Sequence, residues 1–275
     1  MDLRFVPVRF LEGKHPLENS DVKAVFAGAK ESNLPAYLVG GCLRDAIDVP
    51  ANRTINRTTL DFDFAIGGEA LPFARLMADQ LGGSFVVLDD VNDIARVVLK
   101  DGVYMDFAGY KGTITEDINR RDLTINALAL DPAHPQSVLD LVGGVPDLES
   151  NTIRALREEV LRDDPLRLLR VYRFAVGRRG AIDENTRALV KANLSLLNTV
   201  ARERINYELF SLMNYPCVGH YITEMGEIGL LELLYPELSE CRRVTSNSFH
   251  HLALFEHSLE TIPQLEEILP TLPDY

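Results

Sequence analysis

The chain has 275 residues and 46% hydrophobic content, enough to bury a core in one or two domains, and its 41 acidic against 28 basic residues give a net charge of −13. That acidity argues against a generic nucleic-acid coat. No apolar run reaches membrane-spanning length, no signal peptide is read at the start, and Cys42, Cys217 and Cys241 lack metal-ligand spacing, so reduced thiols in a cytoplasmic protein are expected. The charge is uneven: Lys and Arg outnumber Asp and Glu twelve to seven between 153 and 204, while acids dominate on either side. A polyanion would be sought on that basic stretch, although a solvated helix pair is the more common meaning of Arg-rich helices.

Residues 1–20 read as irregular. An amphipathic helix follows over 21–32, with Val22, Val25, Phe26 and Ala29 on one side. A short apolar strand over 36–39 breaks at Gly40-Gly41, and 42–47 reads as helix. After a polar loop, Leu60-Asp61-Phe62-Asp63-Phe64-Ala65-Ile66 alternates acid and apolar residues up to Gly67-Gly68, the pattern of a half-buried strand. A helix is expected over 69–81, then strands over 84–88, 94–99 and 103–107, making a mixed sheet with antiparallel hairpins. Thr113 and Glu116 stand in capping-box spacing over a short helical turn. The apolar run 123–130 fits strand or helix. Gly143-Gly144 and Pro146 mark a boundary near 150. Helices follow over 154–161, 165–176, 184–192, 205–213 and 218–227, with no β-rich run after 153.

Four stretches carry chemistry. Asp61 and Asp63, two apart on a strand, aim their carboxylates to one side, which suits Mg²⁺ with room left for substrate phosphates. A lone Asp-x-Asp more often means two solvated acids, so its neighbours matter. Gly40-Gly41 before a helix start, with Arg44 behind it, would let backbone and guanidinium approach a triphosphate. Asp106, the one acid on an apolar strand, would be a third carboxylate if its strand lies beside Asp61 and Asp63; an edge-strand surface acid is as good a reading of that residue alone. In Arg120-Arg121-Asp122-Leu123-Thr124-Ile125-Asn126-Ala127, Arg suits phosphate and Asp or Asn suits ribose, but by chemistry alone a structural salt bridge with Asn in a turn is the better reading. In Asp163-Asp164-Pro165-Leu166-Arg167, Asp164 and Arg167 share a helix face. Together they make either an ordinary cap with an ion pair or an acceptor and donor for the edge of a base.

Taken in order, Gly-Gly-x-x-Arg-Asp, Asp-x-Asp, Arg-Arg-Asp-x-Thr-Ile-Asn-Ala, Asp-Asp-Pro-Leu-Arg-x-x-Arg and Glu203-Arg204-x-x-x-Glu208-Leu209 resemble the bacterial class II tRNA nucleotidyltransferase/poly(A) polymerase family, over roughly residues 36–214. The resemblance implies an α+β chain: a polymerase-beta-like nucleotidyltransferase head with a mixed sheet (1–150), then an all-helical neck and partial body (151–275). It implies that Asp61 and Asp63 are the metal pair and, with Asp106, catalytic. Gly40, Gly41, Arg44 and Asp45 match the motif beside the triphosphate. Arg121, Asp122 and Asn126 match the motif that contacts ribose and nucleotide, and Asp164 and Arg167 the protein template that selects CTP or ATP. Arg170 and Arg173 are placed for phosphates, and Glu203 and Arg204 for bracing the neck.

The implied reaction is template-independent addition of CMP and/or AMP from CTP or ATP to the 3′ end of tRNA, with Mg²⁺ as cofactor and release of pyrophosphate. An ATP-only poly(A) polymerase is one alternative, and a non-catalytic nucleotide- or RNA-binding remnant another. The chain departs from the family pattern in three places. Asp163 stands where Glu often precedes the template Asp. The approach 53–60 lacks the usual Pro-Lys. The link from Asp106 to Arg120 is short, in a region where the family's flexible loop is tied to adding the terminal A. Phe249-His250-His251 and His257 resemble the opening of an HD-like module, but no His-Asp pair follows, and the histidines read as helix-surface residues.

Overall fold

The structure, a computed structural model, describes residues 3–53, 61–246, 248 and 251–272. The chain divides into two compact units, Met1–Ser150 and Asn151–Tyr275.

The first unit is built on one sheet. Its strands are β1 (Phe5–Pro7), β2 (Ala36–Val39), β3 (Asp61–Ile66), β4 (Ser84–Asp89), β5 (Ile94–Val98), β6 (Tyr104–Gly109), β7 (Leu128–Leu130) and β8 (Ser137–Asp140), in the spatial order β1-β8-β7-β2-β3-β6-β5-β4. Every neighbouring pair is antiparallel except β3 and β6, which run parallel. The sheet is therefore mixed, as the hairpin spacing led one to expect. The helices are α1 (Ser20–Glu31), α2 (Gly41–Ala46), α3 (Pro50–Arg53), α4 (Ala70–Leu81), α5 (Ile114–Asn119) and α6 (Gly144–Glu149).

Strand alternation sorts the two faces. Phe62, Phe64 and Ile66 on β3, Met105 and Phe107 on β6, and Ala95 and Val97 on β5 are all buried. Phe64 stacks on Phe107 with ring centroids 5.3 Å apart, and Phe26 of α1 and Phe73 of α4 meet this pair edge-on at 5.7 and 5.8 Å. Each such ring contributes roughly 1.5–3 kcal/mol by leaving water. Asn19 caps α1 by accepting from the amides of Asp21 and Val22, and Gly82 ends α4 in the left-handed region. The ambiguous run 123–130 resolves into a 3₁₀ turn, Thr124–Asn126, followed by β7. β1 and β8 arise where no strand was expected.

The second unit is helical: α7 (Glu158–Asp163), α8 (Arg167–Arg178), α9 (Glu184–Asn193), α10 (Arg202–Met213), α11 (Gly219–Glu227), α12 (Leu230–Leu234), α13 (Leu238–Cys241) and α14 (Leu254–Ile268). It also holds a small parallel pair, β9 (Thr152–Ile153) with β10 (Ala181–Ile182), two residues each. These two strands, α12 and α13 were not expected, while α14 carries His257, which the sequence places on a helix surface. Buried Tyr172 of α8 donates to Glu224 of α11 at 3.2 Å, and Arg187 of α9 grips the same carboxylate at 2.7 and 3.2 Å. One carboxylate thus ties three helices together. No helix among the described residues is long and apolar enough to cross a membrane.

Candidate active site

The parallel pairing of β3 with β6 places Asp63 directly beside Asp106, with Asp61 beside Tyr104. Both acids stand on the face opposite Phe64 and Phe107. The third carboxylate expected from sequence therefore lies next to the pair. Burial pushes the Asp63 carboxyl above the usual carboxylate range; Asp106 and Asp61 push it the same way, while Arg121 and the Gly41 amide pull it down. Three acids gathered on one sheet face are electrostatically uncomfortable without cations.

Two of those cations belong to the protein. Arg96 on β5 is in register with Asp106 and grips it with both edges, Nε to Oδ1 at 2.7 Å and Nη2 to Oδ2 at 2.8 Å. Arg121, the second, acts on Asp63 from the segment after α5. Arg96 was not singled out in the sequence. The only signal for it was a lone basic residue among apolar ones on a strand, and its meaning depends on the strand pairing.

The Gly40-Gly41 turn is fitted to the acids. Gly40 has φ +81°, and a Cβ there would run into the Asp63 carboxylate. The Gly41 amide donates to Asp63. Arg44 departs from expectation. It was read as a ligand for phosphate, but its guanidinium is buried, gripping Asp45 at 2.6 and 2.8 Å and Asn126 at 2.7 Å. Asn126 in turn donates to Asp122 at 3.0 Å, and Asp122 accepts from the Leu123 amide at 2.8 Å. Asp45, Arg44, Asn126 and Asp122 thus form one polar chain that locks α2 to the turn before β7. Four residues expected at phosphate or ribose are here bonded to each other, because a buried guanidinium must find acceptors.

The Arg-Arg-Asp segment is set by α5. Thr113 and Glu116 form the expected capping box. Buried Asp117 then holds Arg120 at 2.6 Å and Arg121 at 2.8 Å. The link between β6 and α5 is a tight turn: Tyr110 is buried, its amide donates to the Ile66 carbonyl at 2.9 Å, and Thr113 already begins the cap.

In the second unit the expected partners are exchanged. Asp164 is expected to share a helix face with Arg167, the two together reading the edge of a base. It is instead an extended residue between α7 and α8, and α8 has no side-chain cap. The Asp164 carboxylate accepts from Arg204 of α10, at 3.2 Å to each oxygen. Arg167 donates through Nη1 to the Val160 carbonyl at 2.9 Å, and through its amide to the Asp164 carbonyl at 3.0 Å. Arg173, expected at phosphate, is bound at 2.6 Å to buried Glu208 of α10. Arg170 and Arg173 both lie over the Phe174 ring, at 5.5 and 4.6 Å. Of the histidines, His250 lies outside the described residues, as does Phe249, while His251 and His257 are exposed.

Among the described residues, no three His, Cys, Asp or Glu side chains are arranged to hold a metal ion. Asp61 and Asp63 nevertheless suit Mg²⁺, which commonly takes one or two carboxylates and completes its shell with substrate phosphates and water. The raised Asp63 carboxyl is the sign of an acid group that a cation would relieve.

Residues 95–154 match the family model described as "Poly A polymerase head domain", and residues 181–241 match "Probable RNA and SrmB- binding site of polymerase A". The chain is 40% identical over 211 residues to a CC-adding tRNA nucleotidyltransferase of Geobacter sulfurreducens, covering 75% of this chain and 47% of that protein. It is 34% identical over 235 residues to an A-adding tRNA nucleotidyltransferase of Deinococcus radiodurans, covering 84% and 52%. A solved Thermotoga maritima CCA-adding enzyme complexed with tRNA superposes with a TM-score of 0.74 at 27% identity, over 98% of this chain and 63% of that one. The chain spans about half the length of the curated relatives it matches.

Proposed function

The chain belongs to the bacterial class II tRNA nucleotidyltransferase/poly(A) polymerase family, and on that basis we propose that it transfers CMP from CTP to the 3′ end of tRNA with release of pyrophosphate. The observation that carries the reading is the register of Asp63 beside Asp106, with Asp61 two residues away and the Gly40-Gly41 turn packed on Asp63. We read the unit Met1–Ser150 as the nucleotidyltransferase head and Asn151–Tyr275 as neck and partial body.

In this reading Asp61 and Asp63 hold Mg²⁺. When bound there, the metal supplies acidity to the attacking 3′-hydroxyl and charge neutralisation to the leaving pyrophosphate. The chain's own residues do the positioning. Gly40 keeps the backbone close to Asp63. The Asp45–Arg44–Asn126–Asp122 chain fixes the turn beside the acids. Arg121, oriented by Asp117, presents positive charge toward Asp63 and is the residue best placed for a phosphate. Asp164, held by Arg204, offers a carboxylate that can accept the exocyclic amino proton of cytosine or adenine, which uracil and guanine lack at that position. Free Cys42, Cys217 and Cys241 suit a reducing compartment, and we place the reaction in the cytoplasm.

Addition of CC rather than CCA is favoured by the capped, closely packed turn between β6 and α5, and by the Geobacter relative. The A-adding Deinococcus relative favours a second reading, in which only AMP is added. Labelled CTP and ATP, supplied separately to tRNA ending before, within and after CCA, decide between them. The expected result is two CMP additions to tRNA lacking CCA and no AMP addition to tRNA ending in CC. AMP incorporation onto tRNA ending in CC overturns CC specificity, and no incorporation of either nucleotide overturns the transfer reading.

A further inference from the structure

Arg96 stands in a row of four residues that crosses the sheet from β2 to β5: Val39, Asp63, Asp106, Arg96. Adjacent strands lie about 4.8 Å apart, so the cation is next to one acid and one strand further from the other. Its two hydrogen bonds occupy both Asp106 oxygens. Asp106 and Asp61 both act on the Arg96 charge, which places the guanidinium within the field of the whole acid cluster. Arg96 also lies over the Tyr104 ring at 5.1 Å, and Tyr104 is the β6 residue in register with Asp61. The pair is only partly exposed, 37% for the Arg96 side chain and 25% for Asp106, so the contact is screened less than a free surface pair. Arg96 is thereby a fixed counter-cation for Asp106.

We propose that Arg96 is a positioning residue that keeps Asp106 out of the metal-ligand set, so that the nucleotide-free protein binds a divalent cation through Asp61 and Asp63 alone. Asp106 joins only when cation and nucleotide phosphates together compete with the guanidinium. Arg96 would then guard the acid cluster against filling with metal in the absence of nucleotide. This inference rests on the reading of Asp61 and Asp63 as the metal pair.

The test is Mn²⁺ binding to the nucleotide-free full chain, followed by the loss of the free-ion electron paramagnetic resonance signal, which is independent of transfer activity. Arg96→Gln removes the charge and one edge of the grip; it is expected to tighten Mn²⁺ binding on the order of tenfold, equivalent to about 1.4 kcal/mol. Arg96→Lys, which keeps the charge, should stay near the parent. Asp106→Asn alone should change Mn²⁺ binding less than about twofold, and adding it to Arg96→Gln should abolish the gain, a coupling that a double-mutant cycle isolates. Unchanged or weaker binding in Arg96→Gln overturns the proposal, as does a gain that survives in the double variant, or no measurable binding in either parent or Arg96→Gln. Thermal melts identify any variant that has lost its fold, and Arg96→Met then serves as the second neutral replacement. Asp61→Asn separates the two levels of inference: if it leaves Mn²⁺ binding intact, the metal-pair reading has failed, whatever Arg96 does.

Discussion

Gly40 and Asp63 are in such close contact that any side chain at position 40 would displace the Asp63 carboxylate. Two constraints coincide at this glycine: its backbone, at φ 81° and ψ −152°, lies in a region essentially closed to other residues, and the space its Cβ would need is filled by an acid. Gly40→Ala should therefore cost about 1–3 kcal/mol of stability and shift Asp63 out of line with Asp61. The expected outcome is a lowered melting temperature together with at least about a hundredfold loss of CMP transfer, since an ångström-scale misplacement at a reacting centre has that effect. A variant that melts early but transfers CMP at the parental rate would show that the close approach serves stability alone.

Asp117 makes stability depend on pH. Burial raises the cost of its charge, yet the Arg121 and Arg120 guanidiniums more than compensate and hold its carboxyl below the usual carboxylate range. For an acid whose carboxyl is lowered on folding, the contribution is fully present above the unfolded-state value and is lost as pH falls through the folded one. Arg120 is 56% exposed, so solvent takes back part of the energy; Arg121, at 21%, retains more. Asp117→Asn should destabilise the protein by about 1–3 kcal/mol at neutral pH. Denaturant melts of parent and variant should converge as pH drops below the ordinary carboxylate range. A gap that stays constant into acid would mean that Asp117 acts by shape and not by charge.

The parts of this architecture that were legible beforehand share a physical basis. The β3 strand, the α1 face and the capping box of α5 are local patterns, whose spacing alone dictates which side chains share a face or reach an amide. What escaped was non-local. β1 is three residues ending in Pro7, and it exists only because β8 pairs with it; β8 in turn needs β7. Arg96 was one basic residue on a strand until β5 was paired with β6. Arg44, Arg173 and Asp164 also have protein partners that no local pattern named. Charged residues were read as facing substrate, whereas Asp45, Glu208 and Arg204 lie nearer in the fold.

The Arg173–Glu208 pair should be a structural clamp between α8 and α10. Glu208 is buried, with 6% of its side chain exposed, and Arg173 reaches it at 2.6 Å. Arg173→Ala would leave that carboxylate without this partner inside the helical unit, at a cost of about 2–4 kcal/mol. Arg173→Ala with Glu208→Ala should be less damaging than the single change predicts, because the stranded charge is gone. Urea melts of the two single variants and the double variant measure that coupling. Strict additivity would assign Arg173 to surface charge, and the phosphate role expected from the sequence would be restored as its better explanation.

Arg204 offers the sharpest test of how a base is chosen. It holds both oxygens of Asp164 from α10, 40 residues further along the chain, and both side chains are partly open to solvent. An exposed pair of this kind contributes at most about 1 kcal/mol, so Arg204→Ala should melt nearly like the parent. Its effect should fall instead on recognition, because a carboxylate that accepts an amino proton discriminates only if its orientation is fixed before the nucleotide arrives. The expected signature is a rise in KM for CTP and a loss of about tenfold in preference for CTP over UTP, with kcat much less affected. Arg204→Lys should recover part of the preference, since both contacts come from Nη2 alone and an ammonium can stand in for that one nitrogen while lacking the fixed plane of a guanidinium. If Arg204→Ala instead lowered kcat for CTP and UTP alike and left their ratio untouched, Asp164 would not be the group that reads the base.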